Sequence, residues 1–165
     1  MSVFSRFKKT KEPETALDTG IYAPADGEQI DITTVPDEVF ASKMMGESMA
    51  FRYDGDNVMI CSPADGTLSV LYPTGHAFGI RMSDGTELLV HIGIDTVSAQ
   101  GSGFDIQKKK QGETVRTGDP IVRVNLASLR PKYDMSTMLI VTNPGNRQIH
   151  WIPDGSVRKG QSLLK

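Results

Sequence analysis

The chain has 165 residues, of which 38% are hydrophobic and 23% are charged, and its formal net charge is −2 at pH 7. This length and composition suit one globular domain with a proper core, and the small net charge gives no argument for nucleic-acid binding. The single cysteine, Cys61, excludes an intramolecular disulfide, and no apolar run approaches the ~18 residues of a transmembrane helix. We therefore expect a soluble protein of the cytoplasm.

Residues 1–20 predict a flexible N-terminal tail, because the segment is polar, contains Pro13 and shows no strand alternation. On a helix, Val3, Phe4 and Phe7 would share one face among basic residues, a pattern typical of weak contact with an anionic membrane. A solvated leader is the simpler alternative, and Met1 favours a free-standing protein. Residues 21–165 are expected to form the folded domain.

Asp-Gly pairs recur five times after residue 25 and indicate tight turns between short apolar or alternating runs. This spacing predicts an all-β domain, either an antiparallel sandwich or a barrel. Short helical turns are expected after Asp37 and after Asn125, and Met44, Met45 and Met49 are expected to fill the core. The predicted strands are 29–34, 48–53, 57–61, 67–72, 77–82, 87–94, 120–124 and 137–142.

Two short motifs occur twice in the chain. Residues 24–27 have the same sequence as residues 63–66, and residues 115–118 resemble residues 157–160. We expect each pair to form equivalent turns in a pseudo-symmetric sheet. The segment 101–110 breaks the strand pattern and is expected to be a surface loop.

Residues 75–97 contain two of the three histidines, His76 and His91, on either side of Asp84-Gly85. If this dipeptide forms a two-residue type I′ turn, Phe78 pairs with His91 across the hairpin. The two imidazoles then become diagonal neighbours whose rings meet. In this register, one face of the hairpin has the side chains of His76, Phe78, Ile80, Leu89 and His91.

The histidine pair suits phosphoryl transfer. A neutral imidazole can attack phosphorus, and a second imidazole can donate a hydrogen bond to the phosphoryl oxygens. His91 follows three apolar residues, so we expect a rigid strand to position it as the nucleophile, with His76 as its electrostatic partner. Thr74 has a hydroxyl two residues before His76 that can fix the tautomer of that ring.

Two other classes of function remain open from the residues alone. His76 and His91 could bind zinc in a metallohydrolase or a binding module, although no third ligand has suitable spacing, and His150 is expected to be structural. Residues 112–121 resemble part of the biotin and lipoate carrier domains, in which case Lys43 would be the modified lysine. Lys43 lies in an expected helical turn rather than at a hairpin tip, which speaks against that function.

Several motifs together resemble the IIA component of the glucose-type sugar phosphotransferase system. They are residues 35–40, the repeated 24–27 and 63–66, residues 74–78, and above all residues 90–97, with further similarity at 101–104 and 118–119. The resemblance covers the chain from about Ile21 onward. It implies an antiparallel β-sandwich with no cofactor and no required metal, so that zinc at His76 and His91 would be incidental.

The resemblance also implies a role for each site residue. His91 would accept a phosphoryl group on Nε2 from the histidine-containing phosphocarrier protein, HPr, and pass it to the IIB domain of a sugar permease. His76 would stabilise the phosphoryl group, and Thr74 would orient His76. Regulatory protein targets are implied as well. The implied partner-binding residues are the acidic Asp37 and Asp95 and the apolar Phe40, Tyr72, Phe78, Leu89 and Ile92; at Leu89 and Ile92 the chain departs from the phenylalanines expected in the enteric protein.

Overall fold

The computed structural model describes residues 18–165, so the expected membrane contact through Phe4 and Phe7 lies outside the described residues. Of the residues predicted for the N-terminal tail, the structure describes 18–20. The Asp18 carboxylate accepts the Gly20 amide at 2.8 Å, and the Arg147 guanidinium donates to the Thr19 carbonyl at 2.6 Å.

Two antiparallel sheets make up the described domain, which confirms the predicted all-β class. The larger sheet has the strand order β11-β1-β2-β10-β6-β5-β4-β8, and the smaller has the order β3-β9-β7. The strands are β1 (Gly27–Ile30), β2 (Glu47–Arg52), β3 (Asn57–Cys61), β4 (Gly66–Leu71), β5 (Ala77–Arg81), β6 (Glu87–Ile92), β7 (Phe104–Ile106), β8 (Thr114–Val115), β9 (Pro120–Asn125), β10 (Thr137–Asn143) and β11 (Gly155–Val157).

The main core lies between the two sheets and takes alternate residues from each strand, as the two-residue period of a strand requires. In β6, Leu88, Val90 and Ile92 face this core. Leu89 and His91 face the opposite side of the larger sheet. A second apolar cluster lies on that outer side and includes Ile32, Val35, Ala50, Ile94, Met138 and Ile140.

Two short helices begin where the sequence predicts. Helix α1 (Glu38–Ala41) follows Asp37, whose carboxylate accepts the Phe40 amide at 3.2 Å, and helix α2 (Leu126–Leu129) follows Asn125, whose side chain accepts the Ser128 amide at 3.1 Å. Each side chain satisfies an amide that has no partner within its helix. No helix within residues 18–165 is long and apolar enough to cross a membrane.

Two predicted segments need correction. The first predicted strand ends at Ile30, because the Asp31 carboxylate accepts the Thr33 amide at 2.9 Å and starts a 3₁₀ helix at Ile32–Thr34. The expected surface loop at 101–110 contains β7, which pairs with β9. Phe104 and Ile106 pack against the core, and the neighbouring glycines hide this brief alternation in the sequence.

The repeated motifs form equivalent turns, as predicted. The Cys61 amide donates to the Pro24 carbonyl at 3.0 Å, and the Tyr22 amide donates to the Pro63 carbonyl at 2.8 Å, so the two prolines make reciprocal contacts. The Asp26 carboxylate accepts the Lys159 amide and the Asp65 carboxylate accepts the Thr117 amide, each at 2.7 Å. The two halves are therefore joined around a local pseudo-twofold axis.

Removing the Asp65 carboxylate tests the importance of these turns. We expect Asp65→Ala to lower the free energy of unfolding by about 1–3 kcal/mol, since it removes a charged acceptor from the Thr117 amide. Asp54→Ala is the matched control, because Asp54 is an exposed residue of another Asp-Gly turn. Urea denaturation measures both variants, and equal losses would contradict the structural role of Asp65.

Candidate functional site

The hairpin of β5 and β6 has a register one residue away from the predicted one. Ala77, not Phe78, lies opposite His91. The Met82 amide donates to the Thr86 carbonyl at 2.8 Å, and Gly85 has a φ of +88° within the loop. The loop therefore contains three residues instead of the two of a type I′ turn, and the additional residue shifts every pair.

Two residues of the predicted docking surface, Phe78 and Ile92, are buried in the main core. Phe78 and Ile80 share the core face of the sheet and do not lie beside His91, so the predicted common face is wrong. Phe78 and Ile92 are both 0% exposed. Neither side chain is available to a protein partner, because both fill the space between the sheets.

The two imidazole rings meet nevertheless. His76 lies just before β5 and follows Gly75, which has a φ of +75° and turns the chain. The Ile92 amide donates to the His76 carbonyl at 2.7 Å, which ties the two histidine segments together. The ring centroids of His76 and His91 are 5.3 Å apart with an interplanar angle of 78°. The predicted proximity of the two rings is confirmed, in a hairpin register that differs by one residue from the predicted one.

A backbone carbonyl selects the tautomer of His91. The His91 Nδ1 atom lies 2.8 Å from the Gly93 carbonyl oxygen, which can only accept a hydrogen bond. Nδ1 must therefore bear the proton in the neutral ring. The lone pair is left on Nε2, which makes Nε2 the nucleophilic atom.

His76 has a different partner. Its Nδ1 atom lies 2.6 Å from the Thr74 hydroxyl oxygen. When that hydroxyl donates to Nδ1, the imidazole has its proton on Nε2 and presents an N–H donor. The two rings then offer a lone pair and a donor, a combination suited to accepting an anionic group.

Burial affects the protonation of both rings. It lowers the pKa of His76 and of His91 below the ordinary value of 6.5, while the hydrogen bond to the Gly93 carbonyl raises the pKa of His91 in part. Both imidazoles are therefore neutral at pH 7. His76 is only 4% exposed, whereas His91 is half-buried and is the ring that a partner can reach.

Aromatic and acidic side chains surround the pair. The Phe40 ring centroid lies 5.0 Å from that of His91, and the Tyr72 centroid lies 5.1 Å from that of His76. Leu89 is half-buried on the same outer side. Asp95 is exposed with no capping hydrogen bond, whereas the Asp37 carboxylate also caps α1. The negative charges of Asp37 and Asp95 both raise the pKa of His91, which shows that these carboxylates lie near the ring.

Other exposed apolar residues lie in and after α1 and in the 3₁₀ helix that follows β6. Met44 is 74% exposed and Met45 is 39% exposed, so the prediction that they fill the core is wrong, whereas Met49 is buried as predicted. The two methionines lie in the turn after α1, which Lys43 enters with a φ of +59°. Val39 and Val97 are exposed as well. The position of Met44 and Met45 directly after a short helix was the sequence feature that could have predicted their exposure.

The structure does not favour the other two classes of site. Among residues 18–165, no three His, Cys, Asp or Glu side chains are grouped as a metal ion would require. His150 is exposed. The Lys43 ammonium forms an ion pair with Glu47 at 2.9 Å and lies in a turn after a helix, not at the tip of a hairpin.

Comparisons with known proteins agree with this fold and site. Residues 19–146 match the family described as "phosphoenolpyruvate-dependent sugar phosphotransferase system, EIIA 1". The glucose-specific EIIA component of Staphylococcus aureus strain Mu50 is 39% identical over 162 residues, which covers 96% of each chain. The structure of the glucose permease IIA from Mycoplasma capricolum aligns with a TM-score of 0.80 and 35% identity, covering 88% of this chain and 93% of the other.

The chain belongs to this EIIA family of the sugar phosphotransferase system. Its fold is the β-sandwich of the Mycoplasma protein. A longer relative is the glucose-specific EIICBA component of Staphylococcus carnosus, to which the chain is 37% identical over 158 residues. The chain spans 23% of the length of that protein.

The lowered histidine pKa values predict a pH dependence of stability. The unfolded chain takes up protons near pH 6.5, whereas the folded rings take them up at lower pH. Stability is therefore lost as the pH falls from the unfolded pKa towards the folded pKa. We expect NMR titrations of both rings to have midpoints below 6.5.

Urea denaturation at about pH 7.5 and about pH 5.5 measures the loss of stability. His76→Gln should lose less stability between these conditions than the unchanged protein, because one of the two rings no longer titrates. Ring midpoints above 6.5 would contradict the cause that we assign to burial.

Proposed function

We propose that this protein is a phosphocarrier that accepts a phosphoryl group on His91 from HPr and passes it to the IIB domain of a sugar permease. The observation that supports this most directly is the hydrogen bond from His91 Nδ1 to the Gly93 carbonyl. It leaves Nε2 of a half-exposed imidazole as a nucleophile. Membership of the EIIA family supports both partners.

Each transfer exchanges one nitrogen–phosphorus bond for another bond to phosphorus. The His91 Nε2 lone pair attacks the phosphorus of phosphorylated HPr, and the bond to the donor histidine breaks with its electron pair returning to the donor nitrogen. A nucleophile of the IIB domain then attacks the same phosphorus, and the electron pair returns to His91. Positioning and charge stabilisation supply most of the catalysis in such transfers.

His76 is proposed to stabilise the phosphoryl oxygens. Its ring lies 5.3 Å from that of His91 between centroids, so an Nε2–H donor can reach an oxygen of a group bound to His91. The Thr74 hydroxyl keeps that proton on Nε2 by donating to Nδ1. A preformed donor of this kind needs no reorganisation when charge moves during transfer.

The proposed docking surface combines apolar residues with acidic ones. Phe40, Tyr72 and Leu89 would contact the partner around the histidines, while Asp37 and Asp95 would attract basic residues of HPr. Exposed carboxylates steer a partner without binding it permanently, which suits a carrier that must release one protein before meeting the next. Met44 and Val97 extend the exposed apolar area.

The proposal assigns the protein to the cytoplasm, which suits a chain whose single cysteine is a free thiol. The relatives named for glucose make glucose the first sugar to test. Binding to regulatory protein targets would use the same surface, since exposed apolar residues such as Met44, Tyr72 and Val97 are suited to contact a protein.

Reconstituted phosphorylation tests the proposal. With phosphoenolpyruvate, the first enzyme of the system and HPr, we expect one acid-labile phosphate on His91 by mass spectrometry. His91→Ala should take up no phosphate. His76→Ala should still accept phosphate but pass it to a IIB domain roughly 100-fold more slowly, because a preformed donor is lost.

His150→Ala is the matched control, since His150 is exposed and outside the pair. It should behave as the unchanged protein. Phosphate on a residue other than His91, or none from a competent donor, would refute the proposed function.

Charge neutralisation tests the docking surface. Asp95→Asn should slow association with HPr by roughly 1.5- to fivefold at low salt, because one exposed carboxylate no longer attracts the partner, and the difference should shrink as salt is added. Stopped-flow measurement gives the rate. Asp154→Asn removes an exposed carboxylate outside the surface and should have no effect; equal slowing by both variants would contradict the proposed surface.

A further inference from the structure

Thr96 is a buried residue that contacts two backbone segments next to the histidines, at Ile92 and at Gly93. It is 0% exposed and begins the 3₁₀ helix Thr96–Ala99 directly after the site. Its hydroxyl donates to the Ile92 carbonyl at 2.5 Å. Ile92 is the residue between His91 and Gly93, and its amide donates to the His76 carbonyl. One peptide segment thus connects the Thr96 hydroxyl with both histidines.

The methyl group of Thr96 packs against Gly93. Gly93 has a φ of +77°, and a Cβ placed on it would lie 2.5 Å from Thr96 Cγ2. Thr96 therefore packs directly against the residue whose carbonyl accepts the His91 Nδ1 proton.

We propose that Thr96 is a positioning residue for phosphoryl transfer, and that its hydroxyl keeps the Ile92–Gly93 segment in the geometry that aligns His91 with His76. This inference rests on the proposed function. Without the hydroxyl, the buried Ile92 carbonyl loses its hydrogen bond and the segment can rotate away from His91. The nucleophilic Nε2 atom would then spend less time in line with the donor phosphorus.

Thr137 offers a matched comparison. It is also 0% exposed and lies opposite Ile92 across the β6–β10 pair. Its hydroxyl, however, has no hydrogen-bond partner among residues 18–165. Thr96→Val and Thr137→Val each remove a fully buried hydroxyl group near Ile92. Only Thr96→Val breaks a hydrogen bond.

The experiment compares phosphoryl transfer with the state of the His91 ring. Thr96→Val should lower the maximal rate of phosphate uptake from phosphorylated HPr roughly three- to tenfold, as expected for one neutral hydrogen bond. The KM for HPr should not change, since Thr96 is buried. The ¹⁵N imidazole resonances of His91 should shift as well, because its Nδ1 partner moves.

Thr96→Ser keeps the hydroxyl and Thr137→Val keeps all hydrogen bonds, so both should transfer within about twofold of the unchanged protein. Normal transfer by Thr96→Val, equally slow transfer by Thr96→Ser, or unshifted His91 resonances would overturn the inference. If the unchanged protein takes up no phosphate, the proposed function fails. The ¹⁵N comparison of the same variants still decides whether Thr96 positions His91.

Discussion

The hydrogen bond between His91 Nδ1 and the Gly93 carbonyl decides which nitrogen of His91 is available for chemistry. It requires a backbone in the left-handed region at Gly93, where a larger residue would meet Thr96 and Met135. The Gly93 amide donates to the Ser136 carbonyl at 2.9 Å, so the segment after β6 is bonded to the residue that precedes β10. The proposed nucleophile is thus prepared by backbone atoms rather than by an acidic side chain.

The remainder of the sandwich supports that geometry. Leu88, Val90 and Ile92 anchor β6 in the core, which keeps His91 on the outer side. The turns around Asp26 and Asp65 join the two halves of the domain at the pseudo-twofold axis. A rigid scaffold of this kind reduces the reorganisation that would otherwise accompany each transfer.

The sequence predicted eight of the eleven strands in the described domain and both short helices, because two-residue alternation and side-chain caps are local properties, but it missed the short strands β7, β8 and β11. It also predicted that the rings of His76 and His91 meet. It did not predict the hairpin register, since an Asp-Gly pair fits a two-residue turn and also a three-residue loop in which the Asp84 carboxylate accepts the Thr86 amide. Nor did it separate buried Phe78 from exposed Met44. Phe78 faces the core from β5, whereas Met44 lies in the turn after α1, and packing between distant parts of the chain sets both placements.

The position of the phosphate on the ring tests the central claim most directly. In protein labelled with ¹⁵N-histidine and phosphorylated by HPr, NMR coupling between nitrogen and phosphorus identifies the bonded atom. We predict coupling to Nε2 of His91, with Nδ1 still protonated and bound to the Gly93 carbonyl. Phosphate on Nδ1 of His91, or on His76, would contradict the account.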